Sequence, residues 1–436
     1  MCYRYFYAFK MLTIPFIRDN RDDVIERLKI KNFKQLDLID RIIDRDNNRR
    51  SLQVKTNELQ SQLNQLSKEI GLMFKEGDHE NANKAKERTA GIKNELERFE
   101  TNLQEAEYQL NEWLIQVPNV PHPSVPSGSS EADNLLIREG GTLPELHEGA
   151  LPHWDLGTRY NLIDFDLGVK ITGAGFPVFR GKGARLQRAL ISYFLDQNTA
   201  NGYEEIMPPL MVNEASGFGT GQLPDKEGQM YHVNEDNLYL IPTAEVPVTN
   251  IYRDRILNAE DLPIKNTAYT PCFRREAGSY GKDVRGLNRV HQFDKVEIVQ
   301  IQHPSASYQT LDEMVHHVEK LVINLDLPYR IVKLCGGDLS FTSALTFDFE
   351  VYAAAQKKWL EVSSVSNFES YQANRLKLRF REPAEKRPQL AHTLNGSALA
   401  LPRIMAAILE NNQTTSGIRV PDVLLEYMGA GNEIIR

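Results

Sequence analysis

Cysteine is scarce in this sequence. Cys2, Cys272 and Cys335 are the three found in 436 residues, and no two of them form a CxxC pair. Neither a disulfide framework nor a cysteine-based zinc site of the usual spacing is indicated, and a reducing compartment is expected. No apolar run approaches the roughly 20 residues a membrane helix needs, so no segment is expected to span a membrane. Positive charge is in deficit: the formal net charge is -8, so any RNA contact must be local rather than spread over the surface. A GxxxxGK[ST] loop and a strand–GxGxxG–helix unit are both missing, which leaves phosphate to be held by side chains. What is present, 41% hydrophobic and 25% charged residues, is the composition of an ordinary globular protein. At about 100–200 residues per domain, two or three domains are expected.

The first ten residues, MCYRYFYAFK, are aromatic and basic but lack the apolar core and cleavage site of a secretory signal. They are expected to be a disordered extension or the product of an upstream start codon, with Met11 the natural start. The strongest periodicity follows. Apolar residues recur at Leu52, Leu59, Leu63, Leu66, Ile70 and Met73, with spacings of 7, 4, 3, 4 and 3. After a polar break at 76–81 they resume at Ala85, Ile92, Leu96, Phe99, Leu103, Ala106 and Leu110, with spacings of 7, 4, 3, 4, 3 and 4. This is the seam of two helices wound on each other, predicted at about 37–74 and 80–115. The short break with Gly77 folds them back as an antiparallel hairpin, an arm of about 45 Å or more at ~1.5 Å per residue. Periodicity alone does not separate an RNA-binding arm from a dimerisation coiled coil.

Four prolines in VPNVPHPSVP, residues 117–126, end the helix and form a stiff linker. Beyond it, short apolar or alternating runs at 205–207, 238–241, 296–299 and 347–351 are mixed with helical stretches. The pattern predicts an α+β domain with a mostly antiparallel sheet.

The stretch richest in chemistry is TPCFRREAG at 270–278, leading through a Gly-rich, charged segment to VHQFDKVEIV at 290–299. It reads as strand, loop, strand. In a strand Arg274 and Glu276 share a face, as do Phe293, Lys295 and Glu297. An arginine fork suits a phosphate, and an exposed ring suits a base. A surface hairpin with cross-strand ion pairs fits the same residues. Taken singly, Thr243 and Ser397 fit turns, Phe293 a core position, and Glu361 a solvated strand.

Residues 270–298 resemble the second signature of the class II aminoacyl-tRNA synthetases, an Arg-x-Glu on one strand, a loop, and an aromatic on the next. GYEEIMPP at 202–209 looks like the first, the dimer interface of that family, with Pro209 matching the motif proline. LNGSALALPRIMAAILE at 394–410 looks like the third, reading as a strand, a Gly turn and an amphipathic helix opened by Arg403. Finer matches narrow the group. PTAEVP at 242–247 resembles the loop that contacts the amino acid in seryl enzymes. FRREAGSYG at 273–281 is similar to the seryl form of the second signature, although Arg275 stands where serine is common. EVSSVSN at 361–367 looks like the nucleotide-binding strand, and MLTIPFIRDN at 11–20 like the usual opening. Over residues 11–436 the chain is identified as a member of the seryl-tRNA synthetase family, bacterial type.

The resemblance implies an α+β class II catalytic domain at 118–436, built on an antiparallel sheet, preceded at 11–117 by an all-α tRNA-binding domain with an antiparallel coiled-coil arm. It implies a cytoplasmic homodimeric serine–tRNA ligase that makes seryl-adenylate and pyrophosphate from serine and ATP with Mg²⁺. Serine then passes to the 3′ end of tRNA(Ser), and by the same family habit of tRNA(Sec). Carried over residue by residue, the catalytic groups are Arg274 at the α-phosphate, Glu276 on the ATP side and Arg403 at the γ-phosphate. Arg275, Val290 and Phe293 belong to the ATP site, the last two enclosing adenine. Glu361, Val362, Ser363 and Ser364 form the nucleotide strand, with Glu361 and Ser364 meeting Mg²⁺ through ATP. Thr243, Ala244, Glu245, Glu297, Asn395 and Ser397 line the serine pocket. Lys282, Arg285 and Arg289 either meet the tRNA acceptor end or are solvated. Two other functions remain open: an amino acid–carrier protein ligase, whose kind lacks the arm, and a non-catalytic RNA-binding paralogue, which predicts loss of Arg274, Glu276, Glu297 or Arg403.

Overall fold

The structure, a computed structural model, describes residues 12–225, 228–276, 285–429, 431 and 434–436. The expectations for residues 1–10, Met11 and Lys282 fall outside these. The described residues form two compact units, one within 1–29 and 33–118, the other within 30–32 and 119–436.

The first unit is all helix. Thr13 caps α1 (Ile14–Asp19), accepting from Phe16 N at 3.3 Å, and α2 (Arg21–Ile30) follows. Two long helices, α3 (Asp37–Lys75) and α4 (His79–Leu114), then pair along the seam. The turn between them obeys the usual helix-end rule: Gly77 takes a left-handed φ of 81°, and Asp78 N reaches Met73 O at 2.9 Å. Asp78 caps α4, and its hydrogen bonds from the Asn81 side chain and backbone hold its carboxyl below the usual range. Leu59, Leu66, Ala85, Leu96, Ala106 and Leu110 are buried along the seam. The two seven-residue gaps in the apolar pattern are filled by Thr56 and Thr89, whose hydroxyls donate back to Leu52 O and Ala85 O at 2.9 Å. At the base of the arm, Asp46 is buried and gathers Arg18, Arg49 and Arg50 at 3.2, 2.8 and 2.9 Å, so a buried charge is matched by several donors.

The second unit is built on an eight-stranded sheet: β1 (Leu135–Gly140), β2 (Glu204–Glu205), β3 (Ile264–Phe273), β4 (Gln292–Gln302), β5 (Tyr329–Lys333), β6 (Leu345–Ala353), β7 (Lys358–Asn367) and β8 (His392–Ala400). The spatial order is β1-β5-β6-β7-β8-β4-β3-β2, antiparallel except for β2 beside β3. One face is apolar. Val296, Ile298, Phe349, Val351, Val365 and Leu394 pack there with α6 (Gly181–Ala200), α7 (Ser307–Asn324) and α8 (Leu401–Asn411), while the shorter α5 (His153–Arg159) joins through Leu156. Burying these aliphatic and aromatic side chains contributes about 1.5–3 kcal/mol each. The alternation of β4 turns Phe293, Lys295 and Glu297 to the opposite face, where the candidate site lies. Gly396 was expected in a turn, but it stands inside β8 opposite Val365. The strand continues to Ala400, and the third signature turns into its helix only there. Among the described residues, no helix is long and apolar enough to cross a membrane.

Candidate active site

The nucleotide side begins where β3 ends. Phe273 is its last residue, so strand alternation does not place Glu276 as expected. Glu276 has a left-handed φ of 48°, and its carboxylate pairs with the Arg289 guanidinium. Arg274 continues the pairing with β4, its N–H donating to His291 O at 2.9 Å. Its guanidinium lies 5.3 Å from the centre of the Phe293 ring, a cation–π contact, and its Nε donates to Pro242 O at 3.4 Å. Arg274 therefore joins the ring expected to stack a base to the loop expected to hold the amino acid. His291 fills the gap behind: it stacks on Phe176 at 5.4 Å and 10°, and its backbone N–H donates to Gly175 O at 2.8 Å. Gly175 needs to be glycine, since a Cβ there would fall 2.3 Å from His291 Cδ2, at a φ of +82°. Arg275 is exposed, its N–H donating to Gln229 O at 2.8 Å.

A bulge places the next pair. Opposite β6, β7 sets Ser363 against Phe349 and Glu361 against Glu350, so Val362 is the extra residue. In a regular strand residues three apart face opposite ways. The bulge brings Glu361 and Ser364 together, with Ser364 Oγ 3.3 Å from Glu361 Oε1. Val362 sends its side chain into the apolar core, and Ser363 donates to Ser397 O at 2.5 Å. Arg403, at the start of α8, donates to Glu361 O at 2.7 Å and to Asn288 O at 3.0 Å. Asn288 lies two residues before Val290, itself buried. Behind Glu361, Asp348 has a buried Oδ1 with no partner. Burial, and then the Glu361 charge, push its carboxyl well above the usual range.

The third part is a small polar cavity wall. Thr243, Ala244, Glu245, Glu297, Asn395 and Ser397 are all buried, and the pairing of Glu297 with Ser397 across β4 and β8 fixes their register. Lys295 Nζ donates to Thr243 Oγ1 and to Glu297 Oε2, both at 2.8 Å. Ser397 Oγ lies 3.4 Å from the same carboxylate oxygen. Glu245 receives Gln372 Nε2 at 2.6 Å. Burial, and then the Glu297 charge, push its carboxyl up to about 7. Two carboxyls and one ammonium are thus buried together, so with both carboxyls ionised the cluster has room in its charge balance for one more cation.

Comparison with known proteins decides the family. Residues 11–121 match the family described as the seryl-tRNA synthetase N-terminal domain. Residues 229–412 match the tRNA synthetase class II core domain (G, H, P, S and T). A serine–tRNA ligase of Salinibacter ruber is 49% identical over 96% of this chain and 98% of its own length. The chain belongs to the seryl-tRNA synthetase family. Among solved structures, the seryl-tRNA synthetase of Pyrococcus horikoshii complexed with ATP is 33% identical, with a TM-score of 0.90 over 96% of this chain and 98% of that one. The cytoplasmic serine–tRNA ligase of Naegleria fowleri in complex with AMP is 27% identical, with a TM-score of 0.86 over 98% and 99%.

In this family member the structure brings Thr243, Glu297 and Ser397 together through Lys295, with Glu245 and Asn395 beside them, while Ala244 packs in an apolar cluster with Val248, Ala268 and Val299; it also joins Arg274 to Phe293, and Arg403 to Glu361 and to the segment of Val290. It sends the Val362 side chain away from the site. Sequence reasoning gave no role to Lys295, Gln372 or His291. Lys295 carried a signal, since it alternates with Phe293 and Glu297; Gln372 carried none. Of the loop arginines, Arg289 pairs with Glu276, and Arg285 lies over the Trp154 ring at 4.6 Å.

Proposed function

We propose that the chain activates serine with ATP and loads it on tRNA(Ser), using Arg274, Glu276 and Arg403 around the nucleotide and the Thr243–Lys295–Glu297–Ser397 cluster around serine. The observation that carries this is Arg274, one side chain touching both the ring of Phe293 and the carbonyl next to Thr243. A serine carboxylate oxygen attacks the α-phosphorus in line, forming the mixed anhydride as pyrophosphate leaves. A terminal ribose hydroxyl of tRNA then attacks the carbonyl carbon, forming the ester as AMP leaves. No protein nucleophile is needed. The side chains position the reactants and stabilise developing charge.

The residues fit Mg²⁺. Glu361 and Ser364 would hold it, and the orphaned oxygen of Asp348 behind them marks a place short of positive charge. When bound, it would supply neutralisation of phosphate charge. The pocket reads the hydroxyl of serine through Glu297 and Ser397, and a site so built rejects the analogue lacking it by up to about 10⁴–10⁵. Serine-dependent ATP–pyrophosphate exchange, with alanine and threonine as controls, tests the reading. Equal exchange with alanine would remove serine as the substrate. A carrier-protein ligase is disfavoured by the match of residues 11–121 to the N-terminal domain of the family.

Charge balance gives a pH dependence. Lys295 already answers one carboxylate, so the serine ammonium pairs with the other, and that requires Glu245 ionised. Burial and the Glu297 charge push its carboxyl up to about 7, so the ionised share rises from about a tenth at pH 6 to about nine tenths at pH 8. The serine KM is expected to be about tenfold higher at pH 6 than at pH 8, and the dependence should vanish in Glu245→Gln. A flat profile in the unaltered chain would refute the pairing.

Two copies are proposed to associate through the first signature, in the cytoplasm. Met207 is 89% exposed there, next to Leu210 at 37% and Met211 at 48%, an apolar patch that calls for a partner. Met207→Asp is expected to yield monomers by sedimentation velocity; an unchanged dimer mass would move the interface elsewhere. The arm of the first unit is proposed to grip tRNA(Ser), and tRNA(Sec) by the same shape recognition.

A further inference from the structure

His153 and Glu410 meet with both side chains wholly buried, in a part of the second unit that none of the proposed roles uses. Glu410 stands on α8 seven residues after Arg403. Seven residues are nearly two full turns, so the two side chains leave the helix on one face, about 10 Å apart along its axis. Five donors converge on the Glu410 carboxylate. Oε1 accepts from His153 N at 3.0 Å, His153 Nδ1 at 2.7 Å and Gln356 Nε2 at 2.7 Å; Oε2 accepts from Ala355 N and Gln356 N, each at 3.1 Å. The far imidazole nitrogen faces the loop of the second signature, where Leu287 N donates to His153 Nε2 at 2.8 Å. A ring nitrogen that accepts carries no proton, so the ring proton sits on Nδ1, where Glu410 receives it.

The loop lies directly on the ring. A Cβ at Gly286 would fall 2.2 Å from His153 Nε2. Gln356, held by Glu410, accepts from Asn288 Nδ2 at 2.7 Å, and Asn288 O in turn accepts from Arg403 Nε at 3.0 Å. One helix therefore grips residues 286–288 from two points, through Glu410 and His153 at one end and through Arg403 at the other.

We propose that His153, oriented by Glu410, is a positioning residue for ATP: it fixes the loop at 286–288 against α8 and so sets the Arg403 guanidinium and the entry to Val290 and Phe293. The proposal rests on the assignment of Arg403, Val290 and Phe293 to the nucleotide. His153 and Glu410 act through other residues and touch no reactant.

Two substitutions separate the nitrogens. His153→Asn offers a donor near the Nδ1 position but no acceptor for Leu287. His153→Gln reaches the Nε2 position with an oxygen that accepts from Leu287. In pyrophosphate exchange by the full chain, His153→Asn is expected to raise the KM for ATP by about tenfold and to leave the KM for serine within about twofold. His153→Gln is expected to return the ATP value to within about threefold. Equal rises for ATP and serine, or no difference between Asn and Gln, would overturn the proposal. Should His153→Asn fail to fold, Gln356→Leu, which breaks the link to Asn288, must still raise the ATP value selectively; an unselective change overturns the proposal equally. Absence of exchange in the unaltered chain would overturn the ligase reading and this one with it, whereas normal exchange with unselective variants overturns this one alone.

Discussion

Arg274→Ala is expected to lower serine-dependent pyrophosphate exchange about a thousandfold while leaving the fold intact. Its guanidinium rests on the Phe293 ring and reaches the carbonyl before Thr243, so it stands where the attacking carboxylate and the α-phosphate must meet. Removing one preorganised donor from such a place typically costs 10²–10³ in rate, and the lost positive charge on a pentavalent phosphate adds to that. A thousandfold corresponds to about 4 kcal/mol. Little stability is at stake, because the residue is only half-buried and its side-chain hydrogen bond to Pro242 O is long at 3.4 Å. Such positions cost less than ~1 kcal/mol, so thermal melting should move by a few degrees at most. Arg274→Lys keeps the charge but loses the fork, and should fall between alanine and the native residue. Exchange by Arg274→Ala within tenfold of the unaltered chain would take the α-phosphate away from this residue.

The parts legible in the sequence are those where one local period decides the structure. The seam of α3 and α4 could be read because apolar residues repeat at 3 and 4. The same reading passed over Thr56 and Thr89, since a polar residue at a seam position looks like a gap until its hydroxyl is seen returning to its own helix. Alternation on β4 put Phe293, Lys295 and Glu297 on one face. What it could not supply was Thr243, 52 positions away, as the second acceptor for Lys295. Glu361 and Ser364 came together through a bulge, which leaves no mark in a stretch as plain as EVSSVSN; only resemblance to a family singled them out. Glu276 lies past the end of β3 at Phe273, where alternation no longer says which way a side chain points. His153 and Glu410 lie 257 positions apart, and no local pattern links them.

Shortening the arm should divide the two half-reactions. Removing residues 53–101 and closing the stumps with a short glycine turn keeps the base of the hairpin, with Ile39, Ile42, Asp46, Leu110 and Leu114 buried there. The site residues named for ATP and serine all belong to the second unit, which is compact by itself. Exchange is therefore expected to stay within about twofold, and tRNA charging to fall more than about a thousandfold in kcat/KM. That loss, about 4 kcal/mol, is what two or three charge-assisted hydrogen bonds of ~1.5–3 kcal/mol supply, and α3, with 39 residues, is about 58 Å long at ~1.5 Å per residue, enough to lie along an RNA helix. Because such contacts release counterions, charging by the unaltered chain should weaken as salt rises, and the remnant activity of the shortened chain should depend on salt less steeply. Exchange that fell in step with charging would make the hairpin part of the catalytic fold. Charging that survived the cut would place the RNA contact elsewhere, and the seam would then serve only to hold two helices together.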